Sequence, residues 1–358
     1  MRPGEERQRR LLLIPFAPGI GDMVMMEPLL RAVLALVPDW RVSMVAKEYT
    51  ADLLPPRNYE LVSSSYFISE APAGLKPFHR LLPQKLIAWA AEPAMSMDLG
   101  PFERVINLFW VWESRTPFDR WWTPQWPLQT GVRHAIDLLA DYLSGELGGE
   151  IAPAARVPHI QPFPEASAWA RRYLETPASA DDRPVATLVV SSTDALKWWD
   201  VAKWAALNEE LTESGWRTVL LATMGHPHAT QVFQACRTKP AWPQVDLRQL
   251  VALLALSSLV VGVDTGPLHA AAALGVPWVG IFGATNPDLI GPYDRSRGRS
   301  VVARFPKAPS CARCWLAFKN RDDRCLTLPA TGCTTAVPVS EILDAIAAVS
   351  SGTLIASV

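Results

Sequence analysis

The stretch from Leu259 to Pro292, LVVGVDTGPLHAAAALGVPWVGIFGATNPDLIGP, constrains the fold of this chain more than any other. It opens on an apolar, β-branched run, Leu259 to Val263, which reads as a strand buried on both faces. The run stops at Asp264, and Thr265-Gly266-Pro267 turns the chain into a helix. Thr265 suits the N-cap, and Pro267 suits a first turn whose N–H groups have no partner inside the helix. His269 and the run Ala270 to Leu274 continue the helix until Gly275 ends it, and Pro277 prevents its return. A second apolar run, Trp278 to Phe282, makes the next strand. The result is a strand-turn-helix-strand unit with its polar residues at the carboxyl end of a strand. Ligands of open α/β sheets bind there, and the free N–H groups of a helix start favour phosphate. Aspartic proteases also use Asp-Thr-Gly, but in an all-β setting and in two copies, and neither condition holds here.

The N-terminal half repeats the logic. Leu11 to Phe16 is a short buried strand, and PGIGDMV follows it directly. Gly19 and Gly21 bracket a turn, and Met23 to Val37 carries apolar residues at helical spacing. A dinucleotide site would want GxGxxG and an acidic residue after the second strand. Val24 stands where the third Gly belongs, and the next strand, Val42 to Val45, leads to Lys47-Glu48. Asp22 stands in this turn at the start of the helix, where a carboxylate can act as a cap. Glu27 is the nearest rival acid, one turn further into the helix.

Residues 55 to 130 are rich in Pro, with one clear strand from Arg104 to Phe109. Trp110, Trp112, Trp121, Trp122 and Trp126 then crowd together beside Arg115, Asp119 and Arg120. Such rings can stack on a sugar or simply pack a loop onto the domain. An amphipathic helix, His134 to Leu147, closes the first domain. The Pro-spaced segment Ile151 to Ala166 reads as a linker, and a helix from Ser167 to Leu174 follows.

The second domain opens with a buried strand, Pro184 to Val190. Ser191-Ser192-Thr193 come next, and Lys197 lies four residues beyond Thr193, just before Trp198-Trp199. Hydroxyls and backbone N–H groups at a strand end, with one reachable ammonium, suit a diphosphate. Next come a strand from Thr218 to Ala222, the turn Met224-Gly225-His226-Pro227, and a short helix from Val245 to Ala255. Beyond Pro292, Cys311-x2-Cys314 is followed by Cys325 and Cys333. These are the ligand types of a structural four-thiolate Zn or Fe site. The second pair has seven intervening residues rather than two, so free thiols remain the alternative. Val339 to Val349 is a final amphipathic helix.

At 358 residues and about 150 per domain, the length favours two domains. Apolar residues make up 49% of the chain and charged residues 19%, which excludes a disordered protein. A net charge of −1 gives no basic surface for nucleic acid. The opening RQRRLLLIPFAPGIGD imitates a secretory leader, but Pro15, Pro18 and Asp22 break its apolar core. No other run reaches the roughly 18 apolar residues of a membrane span. The expected compartment is the cytoplasm, with at most peripheral membrane contact, and five cysteines there do not make a disulfide scaffold.

The string around Asp264, followed by GxTxP at Gly283 to Pro287 and by Gly291-Pro292-Tyr293, resembles the donor-nucleotide motif of glycosyltransferase family 9, the ADP-heptose:lipopolysaccharide heptosyltransferases. GIGDMVMMEPLLRAV resembles that family's first turn, and the run of hydroxyl residues ending in Lys197 and an aromatic is similar to its phosphate segment. The resemblance spans both domains with Asp22, Lys197 and Asp264 in family order. It implies a GT-B architecture of two Rossmann-like α/β domains whose parallel sheets face a central cleft. Residues 1–165 would form the acceptor side and 166–337 the donor side, with 338–358 packing back on the first domain.

The resemblance implies an inverting transfer of a heptosyl group from ADP-heptose to an acceptor hydroxyl, with no cofactor required for the chemistry. Asp22 would be the base and Lys197 would stabilise the leaving diphosphate. Ser192, Thr193, Asp264, Thr265, Gly266, Pro267 and His269 would complete the donor site. Asp264 would orient the turn that follows it or hydrogen-bond the donor. Gly21, Trp110, Trp112, Arg115 and Arg120 become acceptor-side candidates, the acceptor being a glycan, a lipid-linked sugar such as lipopolysaccharide, or a small molecule. One departure stands out: family members often carry a Glu after the strand at Thr218, and here no acid occurs before Asp246. This keeps a GT-B enzyme using another nucleotide sugar, or a sugar-nucleotide 2-epimerase, as an alternative. A non-catalytic nucleotide-sugar-binding partner protein is a second.

Overall fold

The computed structural model describes residues 8–16, 19–54, 59–63, 102–108, 133–175, 182–304 and 333–351. They fall into two compact units. The first runs to Pro158, apart from Arg133 and His134, and the second comprises those two residues and the chain from His159 onward. The division between Pro158 and His159 lies inside the Pro-spaced segment read as a linker.

Unit 1 holds four parallel strands, β1 (Arg10–Ile14), β2 (Arg41–Ala46), β3 (Glu60–Ser63) and β4 (Arg104–Asn107), in the order β3-β2-β1-β4. β1 lies between β2 and β4 with its Leu11, Leu12, Leu13 and Ile14 side chains buried, which is why it reads as an unbroken apolar run. Helix α1 (Ile20–Leu36) links β1 to β2 and buries Met23, Met26, Leu29, Leu30 and Val33. Helix α2 (Ala135–Leu147) packs against α1. Arg156, in the linker, fixes that helix by pairing with Asp137 at 3.0 Å and Asp141 at 2.8 Å. The strand order reverses between β1 and β4, so the carboxyl ends of these two strands form the switch point where open sheets place ligands.

Unit 2 holds five parallel strands, β5 (Val185–Val189), β6 (Arg217–Leu221), β7 (Leu259–Val263), β8 (Trp278–Phe282) and β9 (Gly298–Val302), in the order β6-β5-β7-β8-β9. Its helices are α3 (Pro164–Leu174), α4 (Val201–Glu213), α5 (Pro227–Ala235), α6 (Leu247–Ala255), α7 (Gly266–Ala273), the single turn α8 (Pro287–Ile290) and α9 (Val339–Ser350). One face of the sheet, including Ala186, Leu188, Val261, Val279 and Ile281, packs on Trp204 and Leu207 of α4, Ala229 and Val232 of α5, and Ile342 and Ile346 of α9. The opposite face meets α7. A Cβ on Gly280 would come within 2.8 Å of the Leu268 side chain, so glycine lets helix and strand approach closely. β7 and β8 have the boundaries expected from their apolar runs.

The C-terminal helix differs from expectation. Its apolar face (Ile342, Ala345, Ile346, Val349) is buried against β8, β9 and α4 within unit 2, the use its amphipathic pattern serves. The tryptophan-rich segment, with Trp110, Trp112, Arg115 and Arg120, lies outside the described residues. Among the described residues, no helix is long and apolar enough to cross a membrane.

Candidate functional site

In unit 2 the strand order reverses between β5 and β7, and the two loops leaving those strand ends carry Lys197 and Asp264. After β5 the chain makes a sequence of local turns. Ser192 Oγ accepts the Asp194 N–H at 3.2 Å, and Asp194 Oδ1 accepts the Leu196 N–H at 3.0 Å. A single 3-10 turn, Ala195–Lys197, then points Lys197 back across the sheet end. Its Nζ donates to Asp264 Oδ2 at 2.7 Å, 67 residues away in sequence. His269, one turn into α7, places Nε2 3.7 Å from Asp264 Oδ1. The Asp264 side chain is 4% exposed and that of Lys197 16%.

Burial works against the charge on Asp264, but the Lys197 ammonium and the contact with His269 outweigh it. They hold the carboxyl well below the usual carboxylate range. The result is an ion pair at a switch point, with a buried carboxylate and a partly exposed ammonium. It presents a cation on the same edge as the N-terminus of α7, where backbone N–H groups lack intrahelical partners. Thr265 occupies the N-cap position with extended backbone, but its hydroxyl makes no capping bond. Pro267 sits in the first turn, as expected. Asp264 was expected to orient this turn or meet the donor; within the chain its oxygens face Lys197 and His269.

The segment behind Lys197 is braced from the far end of the sequence. Trp198 Nε1 donates to Ser192 O at 2.7 Å, and Thr334 Oγ1 donates to Trp198 O at 2.6 Å. Trp199, fully buried, donates to Val337 O at 2.9 Å. Lys203 Nζ donates to the carbonyls of Thr335 and Val337. Cys333 is buried at the start of this bracing segment, close enough to Gly283 that a Cβ there would stand 2.5 Å from its sulfur. Cys311, Cys314 and Cys325 lie outside the described residues. No group of three or more metal-binding side chains occurs among the described residues.

Next to Lys197, the Trp198 ring stacks on His228 with centroids 4.8 Å apart, and His226 meets it edge-on at 5.3 Å. Burial, then the nearby His226, pushes the His228 imidazole below its ordinary value. His226 belongs to the Met224–Pro227 turn, where Gly225 takes φ +77°. After β8, Thr285 is 1% exposed and its Oγ1 has no hydrogen-bond partner. The GxTxP motif marks this residue in the sequence, yet its buried hydroxyl becomes visible only in the fold.

In unit 1, Asp22 lies at the third position of α1, and its Oδ2 accepts the Gly19 N–H at 2.9 Å. The carboxylate thus caps its own helix, the plainer of the two expectations for this residue. A Cβ on Gly19 would stand 2.6 Å from that oxygen, so the turn needs glycine to bring the acid in. Gly21 sits beside it, partly buried. Glu27 is 3% exposed and pairs with Arg31 at 2.9 Å.

Two Rossmann-like α/β units in one chain, the second with a cation and a helix start at its switch point, define a protein of the GT-B class. Residues 106–314 match glycosyltransferase family 9 (heptosyltransferase), and the chain belongs to that family. It is 32% identical over 150 residues to lipopolysaccharide heptosyltransferase 1 of Pseudomonas aeruginosa, a stretch covering 40% of this chain and 42% of that protein. The chain thus spans less than half the length of that curated relative. Among solved structures it resembles the family 9 glycosyltransferase of Veillonella parvula, with TM-score 0.64, 20% identity, and coverage of 95% of this chain and 97% of the other. It also resembles E. coli ADP-heptose lps heptosyltransferase II, with TM-score 0.60, 17% identity, and coverage of 96% and 99%. At these identities the structural likeness speaks for the fold.

Proposed function

We propose that the chain is an inverting glycosyltransferase that moves a heptosyl group from ADP-heptose to an acceptor hydroxyl. The observation that carries this reading is the Lys197–Asp264 ion pair at the unit 2 switch point, 2.7 Å long, with its carboxylate buried and its ammonium partly exposed. Family membership and the ADP-heptose enzyme among the similar structures support the choice of donor.

In this reading the donor diphosphate lies along the carboxyl edge of β5 and β7, against Lys197, the hydroxyls of Ser192 and Thr193, and the start of α7 with Thr265, Gly266, Pro267 and His269. The acceptor oxygen attacks the anomeric carbon from the face opposite the diphosphate, and the bond to the diphosphate oxygen breaks as the new one forms. The electron pair leaves with ADP, whose growing negative charge meets the Lys197 ammonium and the helix start. Asp264 holds that ammonium in place beforehand, so it need not be ordered during the reaction. The acceptor proton passes to the Asp22 carboxylate, a general-base contribution of typically about 10²–10⁴-fold. The diphosphate charge is carried by protein groups, with no metal in the chemistry.

A panel of sugar nucleotides tests this reading, with products followed by mass spectrometry. ADP-heptose should turn over with a heptose-lacking lipopolysaccharide oligosaccharide as acceptor. Turnover with UDP-sugars alone would favour a GT-B enzyme of another donor class, and nucleotide binding without any product would favour a non-catalytic partner protein.

A further inference from the structure

Asn107 ends β4 and is paired in register with Ile14, the last residue of β1. These two strand ends form the switch point of unit 1, and the chain leaving β1 leads directly into the turn that carries Asp22. Both polar atoms of the Asn107 side chain, Nδ2 and Oδ1, are buried, and neither meets a hydrogen-bond partner. Its neighbours in chain and register, Ile106, Leu108 and Ile14, are buried aliphatic residues with no side-chain group to satisfy an amide. A buried amide with two donors and an acceptor all unmatched is costly, and folded proteins seldom keep one without use. In the interior of the strand it would be a packing fault. At the carboxyl end of β4 it lies where an open sheet receives a ligand.

We propose that Asn107 is an acceptor-binding residue whose amide hydrogen-bonds hydroxyl groups of the sugar that receives the transferred group. The inference rests on reading the chain as a glycosyltransferase with Asp22 as base. A carboxamide suits this task. It donates and accepts at once, as a sugar hydroxyl pair does, and it carries no charge to disturb the carboxylate that takes the proton. Asn107 thus serves binding at the expense of stability.

Asn107→Leu keeps the shape of the side chain and removes its polar atoms. The variant should unfold at the same temperature as the parent or higher, because no hydrogen bond is lost. ADP affinity should be unchanged. With ADP-heptose and a heptose-lacking lipopolysaccharide oligosaccharide, KM for the oligosaccharide should rise about tenfold or more while kcat falls less. Asn107→Ser, whose uncharged hydroxyl can both donate and accept, should recover part of the loss. A lower unfolding temperature for Asn107→Leu would show that the amide is satisfied in the free protein and overturn the proposal, as would unchanged acceptor kinetics. If the parent chain transfers nothing from ADP-heptose, the functional reading fails separately. Saturation-transfer NMR then decides on Asn107: oligosaccharide binding lost in the variant upholds it, and binding by both proteins or by neither overturns it.

Discussion

Replacing Lys197 by Met should destabilise unit 2 as well as impair transfer, and should reverse the sign of its pH dependence. At 2.7 Å the pair has roughly 6 kcal/mol of gross attraction for an effective dielectric constant of about 20. Most of that offsets the cost of taking both charges out of water. Removing only the lysine leaves the Asp264 charge buried and opposed by nothing but His269, a change that costs about 3–5 kcal/mol. For a unit of this size that is a fall of roughly 6–20 °C in Tm. In the parent, the Asp264 carboxyl is held low in the folded state. Its stabilising contribution is present above the unfolded value of about 3.9 and is lost only as pH falls below it. In Lys197→Met, burial is left to raise that carboxyl, so the folded state takes up a proton more readily than the unfolded one. Stability should then be greater at pH 5 than at pH 8, whereas the parent gains nothing on the same acidification through this group. Because two units need not unfold together, hydrogen exchange of peptides from β5 and β7 is the right assay. A variant with parental exchange at pH 8, or with no protection gained on acidification, would refute the claim that this ion pair organises the site.

Two further outcomes follow from local geometry. Gly19→Ala should push the Asp22 carboxylate off the Gly19 N–H, since the added Cβ would lie 2.6 Å from Oδ2; turnover should fall at least tenfold with ADP affinity unchanged, as measured by steady-state kinetics and calorimetry. Cys236 is buried and its thiol is pushed up to about 11, chiefly by burial. At pH 8 it should resist a thiol reagent in the folded chain and react at once in denaturant, a contrast that a mass-spectrometric time course would register.

The central elements were legible because they are central. β7 and β8 lie inside a parallel sheet with every residue buried, so their apolar runs end where the strands end. β9 escaped the sequence reading: it is an edge strand, GRSVV, with Arg299 exposed and Ser300 partly so, and its pattern is too weak to register. Edge strand β3 is short and half-exposed for the same reason. Helix α5 begins at Pro227 and carries only nine residues of mixed polarity, which gives little periodicity to detect. Lys197 and Asp264 were each legible from strand-end chemistry, and His269 from the family resemblance of the stretch that holds it. That Asp264 faces Lys197 was not, because 67 residues separate them and only the β5–β7 pairing brings their loops together. Asn107 gave no signal at all. An asparagine at a strand end is unremarkable in sequence, and its missing partners exist only once the sheet has formed.

The proposed transfer chemistry depends on Asp22 taking the acceptor proton. Asp22→Asn is nearly isosteric and keeps an oxygen that can accept the Gly19 N–H, so the turn should survive. Single-turnover transfer from ADP-heptose should drop by roughly 10²–10⁴-fold while ADP binds as before. Transfer at a near-parental rate would contradict the account, remove Asp22 from the chemistry, and leave it as the cap of its helix.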